Sequence, residues 1–73
     1  MNPLIELTKA TEELLRAIGN YNDAVLILNL HSDVDEDEYG YYLNEVKMAQ
    51  DEVKRCNKNV RSKSLLLEET FKL

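Results

Sequence analysis

Seventy-three residues with 32% charged and 44% hydrophobic side chains and a formal net charge of −5 make one small domain at most, and so short a chain struggles to offset its conformational entropy with its own apolar burial. Cys56 is the only cysteine and His31 the only histidine, so neither a disulfide nor a zinc cage supplies the missing stability, which leaves self-association or a partner. The negative charge argues against direct contact with nucleic acid or an anionic membrane surface.

An apolar pattern follows the initial Met almost at once, without a basic stretch, apolar run and cleavage site in series, so a cytoplasmic protein is expected. The longest uninterrupted apolar run, Ala24 to Leu28, is far short of the ~20 residues that a membrane span needs. Asn2 is a good N-cap and Pro3 suits the first helical position, which predicts a helix over about 3–30. Along it Leu4, Leu7, Thr11, Leu14, Ile18, Tyr21, Val25 and Leu28 recur at alternating steps of three and four, the a/d stripe of a heptad repeat. Ala10, Ala17 and Ala24 then fall at g and Leu15 at e, a broad face with small residues on one flank that a second chain could approach closely. Gly19 to Asp23 is a weak point on local chemistry, but the heptad runs through it in phase and a mid-helix glycine costs only about 1 kcal/mol, so the helix is expected to continue.

Residues 31–35 read as a turn. Asp35 and Glu38 have the spacing of an N-cap and its capping-box partner, Val34 and Tyr39 that of a hydrophobic staple. Asp33, Asp35, Glu36, Asp37 and Glu38 place negative charge where a helix N-terminus favours it. A second helix over about 36–72 repeats the heptad with Tyr39, Tyr42, Val46, Ala49, Val53, Cys56, Val60 and Leu67, broken at Lys63. Folding it back through the turn predicts antiparallel pairs whose residue numbers sum to 67, among them Val25 with Tyr42 and Leu7 with Val60. Helix 2 should outrun helix 1 by roughly 13 Å at 1.5 Å per residue. The polar stretch Asn57 to Ser64 could bend, and Leu65, Leu66, Leu67, Phe71 and Leu73 beyond it are too apolar to stay bare.

Candidate chemistry is sparse. Asp33, Asp35, Asp37 and Asn44 are spaced like ligands of a helix-loop-helix calcium site, but the sixth position is Glu38 instead of Gly and Glu45 falls one residue beyond the twelfth. A helix start loaded with favourable acids is the competing account. A di-iron bundle needs Glu-x-x-His pairs, and His31 lies in the turn, where it suits a helix C-terminus. Cys56 at a d position reads as an inert core thiol. Tyr39 and Tyr42 should face the seam and Tyr41 should be exposed as a contact anchor. Lys54, Arg55, Lys58, Arg61 and Lys63 read as a solvated face lying beside Glu6, Glu12 and Glu13.

These features predict an all-α protein: one domain, residues 1–73, forming a long antiparallel two-helix hairpin that dimerises into a four-helix bundle. No catalytic, cofactor or metal residues are expected, and no enzyme activity. The expected role is binding, as a small adaptor or inhibitor of a larger protein. Partner contact is assigned to the acidic, aromatic end (Asp33, Asp35, Glu36, Asp37, Glu38, Tyr41) and self-association to Ala10, Ala17, Ala24, Leu15, Leu66 and Phe71. An acidic mimic of nucleic acid filling a basic cleft is the alternative, a calcium-responsive hairpin the third. In style, small acidic helical hairpins are similar to many phage and bacterial regulatory proteins, a likeness that carries no site residues across.

Overall fold

A computed structural model describes residues 2–72. Two helices, α1 (Pro3–Leu30) and α2 (Glu36–Phe71), pack against each other, and no strand occurs among the described residues. The α1 start follows its local chemistry: Asn2 has extended backbone, its Oδ1 accepts the Leu4 N–H at 2.9 Å, and Pro3 opens the helix. The helix is continuous through Gly19 to Asp23. It closes at His31, whose N–H donates to the Ile27 and Leu28 carbonyls, each at 3.2 Å. Helix α2 begins after Asp35, whose carboxylate accepts the Glu38 N–H at 2.9 Å. It stops at Lys72, in the left-handed conformation at φ 53°, with its N–H on the Glu68 carbonyl.

The molecule is 54 Å long, the length of an unbroken 36-residue helix at about 1.5 Å per residue. Asn57 to Ser64 therefore neither bends nor frays. Leu73 lies outside the described residues.

Packing corrects the expected seam. Ala10 and Ala17 are each 3% exposed and Cys56 2%, and these three are the buried residues among those described. Leu7, Leu14, Tyr21 and Leu28 are half-buried, whereas Leu4, Thr11 and Ile18 are exposed. The hairpin thus closes along g and d of α1, not along a and d. The reason is size: alanines let the two backbones come close and gain dispersion contacts along their length, and the bulkier a residues are left on the margin. The expected pairing shifts with the seam. Glu6 meets Lys63 at 3.7 Å and His31 stacks on Tyr42, pairs that sum to 69 and 73 instead of 67. Lys63, which interrupts the apolar pattern of α2, lies half-buried in the seam and reaches Glu6 to keep its charge paired.

The new register also redistributes the excess length of α2. With Tyr42 beside His31, the first turn of α2 runs past the end of α1, and only the last residues, Phe71 among them, run past its start. The acidic residues stand at an end of the rod.

Candidate functional site

The acidic end is built on an aromatic stack. The His31 ring lies 4.4 Å from that of Tyr42 at 25°, and Tyr41 meets Tyr42 edge-on at 5.5 Å and 79°. The His31 Nδ1 is 2.8 Å from the Ile27 carbonyl, so its ring is held from both sides. Ring stacking of this kind contributes about 0.5–1.5 kcal/mol beyond the area it buries. Asp33, Asp35, Glu36, Asp37 and Glu38 are all exposed around it, and Asp35 is engaged as the helix cap. Tyr41 is 63% exposed. Its ring borders a groove of about 370 Å³ with Asp23, Ala24, Ile27, Tyr42 and Glu45, roomy enough for one partner side chain. Tyr39 is also exposed, contrary to the expectation that it faces the seam. It lines a shallow groove with its staple partner Val34 outside the helix pair.

The calcium-site spacing does not become a calcium loop. The connection is only residues 31–35, and the helix that follows carries Asp37 and Asn44 about 10 Å apart along its axis. Two such side chains cannot both reach one ion at roughly 2.4 Å. No cluster of three or more candidate metal ligands occurs among the described residues.

Along the rod, the two flanks of the hairpin differ. One carries a polar groove whose walls are Glu13, Arg16, Asn20, Glu52 and Arg55, with Ala17 and Cys56 at its floor. Arg55 grips Glu52 with both ends of its guanidinium, Nε at 3.1 Å. That hydrogen bond holds the Glu52 carboxyl below the usual range and the Arg55 guanidinium above its own. Beneath them, desolvation pushes the Cys56 thiol up, partly opposed by the nearby Arg55 charge. The thiol stays protonated and makes only long contacts, 3.7 Å to Glu52 and 3.8 Å to Arg55. A protonated, buried thiol without an imidazole beside it is a packing group rather than a nucleophile.

On the other flank the α1 rows are uncharged, whereas the α2 row is bordered one turn on by Lys47, Lys54, Arg61 and Glu68. On α1 the flank follows positions a and e from Leu4 through Leu15 and Ile18 to Asn29; on α2 it follows Leu43, Gln50, Asn57, Ser64 and Phe71 at seven-residue steps. Leu15 is 63% exposed there and Phe71 57%. Of the residues expected to self-associate, only these two lie on this flank. Ala10 and Ala17 are consumed inside the hairpin, Ala24 is half-buried beside the Tyr41 groove, and Leu66 is exposed on the far side of α2. Heptad position without a packing direction could not separate these two groups.

No matching family model, curated protein or solved structure was found by comparison with this chain. No helix among the described residues is long and apolar enough to cross a membrane.

Proposed function

We propose that this chain is a small cytoplasmic protein–protein interaction module, an adaptor or inhibitor that acts by binding alone. Two hairpins pair into a four-helix bundle, and the acidic, tyrosine-bearing end engages a basic surface of a larger protein. The observation that carries this reading is the imbalance of exposure: Leu4, Leu15, Leu26, Leu30 and Leu65 are each more than half exposed, against three small buried residues. A two-helix hairpin with so thin an interior is marginal alone and gains its stability from what covers it. The rigid aromatic stack beneath exposed carboxylates supports the choice of the turn as the second contact, because a pre-ordered anchor loses little entropy on binding.

Light scattering over a dilution series, with circular dichroism on the same samples, tests the bundle. A helical species at twice the 8.5 kDa chain mass is the expected result. A fully helical, stable monomer at every concentration would overturn it. The acidic end is tested by titrating an arginine-rich peptide while following tyrosine fluorescence. Changing Glu36, Asp37 and Glu38 to their amides should abolish the response, and changing Glu68 and Glu69 at the other end should not; equal effects would remove the turn as the contact. The alternative is an acidic mimic of nucleic acid that fills a basic cleft; a salt-insensitive interaction would favour apolar docking over either charged contact.

A further inference from the structure

The half of the hairpin nearest the turn holds acids without cations. Between Arg16 and Lys47 the chain has no lysine or arginine, while Asp23, Glu45 and all the acids of the turn lie in that stretch. On a helix surface a carboxylate is usually compensated from three or four residues away. No residue at those distances from Asp23 or Glu45 is charged. Neither carboxylate is in an ion pair among the described residues, whereas Glu52 pairs with Arg55 and Glu6 with Lys63. Lys47, two residues beyond Glu45, stands on the opposite side of α2 at about 100° per residue. His31 is taken up locally, between the Ile27 carbonyl and the Tyr42 ring.

The hairpin register brings these two carboxylates to one groove. Asp23 and Glu45 stand on either side of the cleft of about 370 Å³ whose other walls are Ala24, Ile27, Tyr41 and Tyr42. Asp23 and Ile27 are one turn apart on α1, and Tyr41 and Glu45 one turn apart on α2, so each helix contributes a carboxylate beside an apolar neighbour. Ala24 and Tyr42 are half-buried, and Ile27 and Tyr41 keep open surface above them. The groove over Cys56 is the opposite case. There Glu13 and Glu52 are matched by Arg16 and Arg55 within the same walls, and the charge is complete without a partner.

Two carboxylates and two aromatic rings around one cleft, with no cation of its own, are complementary to a particular kind of side chain. The occupant has to bring positive charge to the carboxylates and a flat or aliphatic body to the rings. Arginine meets both demands: its guanidinium stacks on aromatic faces and presents paired N–H donors to carboxylates. Lysine brings the charge alone, on a compact and strongly hydrated ammonium.

We infer that the groove between Asp23 and Glu45 is the seat of one arginine side chain presented by a partner protein, held by those two carboxylates and packed against Tyr41. This deepens the binding reading above and rests on it. The acids of the turn attract the basic surface from a distance, and the groove selects the residue that docks.

The test is amide-resolved NMR of the full chain titrated with hexa-arginine and, separately, with hexalysine. The Ala24, Ile27, Tyr41 and Glu45 amides should shift saturably, with hexa-arginine binding roughly tenfold more tightly than hexalysine. Asp23→Asn combined with Glu45→Gln should weaken hexa-arginine roughly tenfold, and Tyr41→Ala by a similar factor. Tyr41→Phe, which keeps the ring, should bind as the wild type does. So should Glu68→Gln combined with Glu69→Gln, which makes the same charge change at the far end of the rod. These side chains are exposed and lie outside the alanine seam, and circular dichroism on each variant checks that the helices persist. Shifts confined to Glu36, Asp37 and Glu38, with Ala24 and Ile27 unmoved, overturn the groove and leave the turn as the contact. Equal affinity for the two peptides, or wild-type affinity in the Asp23→Asn, Glu45→Gln variant, also overturns the arginine seat alone. No saturable shift anywhere in the acidic half overturns the groove and the reading beneath it together.

Discussion

The two flanks of the hairpin are made by the same two helices and share the same alanine seam, yet one is lined by Glu13, Arg16, Glu52 and Arg55, with charge from both helices, and the other takes its charge from α2 alone, at Lys47, Lys54, Arg61 and Glu68. On the charged flank Arg55 pairs with Glu52, and the pair covers the Cys56 thiol. On the other flank Leu15 and Phe71 are each more than half exposed. Burying an unpaired charge costs more than a nearby apolar contact returns, so the flank charged on both helices is held to solvent more firmly than the uncharged rows of α1.

The largest predicted effect comes from breaking the seam beneath both flanks. Ala17→Glu forces a charge into a position 3% exposed and should remove on the order of 3 kcal/mol or more, read as loss of helical circular dichroism at 25 °C. If the protein retains its wild-type melting curve, the seam is misplaced. Next, Asn57→Leu sharpens the contrast by adding an apolar side chain to the second flank; if a further helix covers that row, as in the proposed bundle, the melting temperature should rise with roughly 1.5–3 kcal/mol of added burial per chain. A fall in melting temperature would mean that Asn57 faces water. Asp35→Ala lies on neither flank; it removes the cap that holds the Glu38 N–H and should cost about 1 kcal/mol in a urea melt.

The smallest effect belongs to the charged flank. Arg55→Ala breaks an exposed pair and should leave the melting temperature within error at physiological salt. Beneath that pair, the Cys56 thiol titrates above its ordinary range, so above pH ~8.5 the unfolded chain releases this proton before the folded one does. Its contribution is complete below the unfolded thiol's titration and is lost as pH rises through the folded value. Urea melts from pH 7 to 10 should show a decline that is shallower in Cys56→Ala; identical slopes would place the thiol in water.

Much of this protein was legible along the chain. Asn2 and Pro3, Asp35 and Glu38, and the heptads between them mark both helices to within a residue or two, because capping and amphipathic periodicity are local properties. The exposed acids of the turn, Tyr41 and the buried Cys56 follow from the same local rules. Continuity through Gly19 was legible too, since the heptad runs through it in phase; continuity through Asn57 to Ser64, whose polarity allowed a bend, was not.

Which stripe of α1 closes the hairpin was not legible. The a/d row of Leu4, Thr11 and Ile18 and the g row of Ala10, Ala17 and Ala24 are both consistent with helix pairing, and heptad spacing is blind to how closely two backbones can approach. Only packing α2 onto α1 decides this: the alanines admit the tighter contact, the seam rotates toward them, and Leu15 and Ile18 are turned outward. The height at which one helix stands against the other is likewise a property of the hairpin register alone, because only the tertiary contacts of Glu6 with Lys63 and His31 with Tyr42 set it.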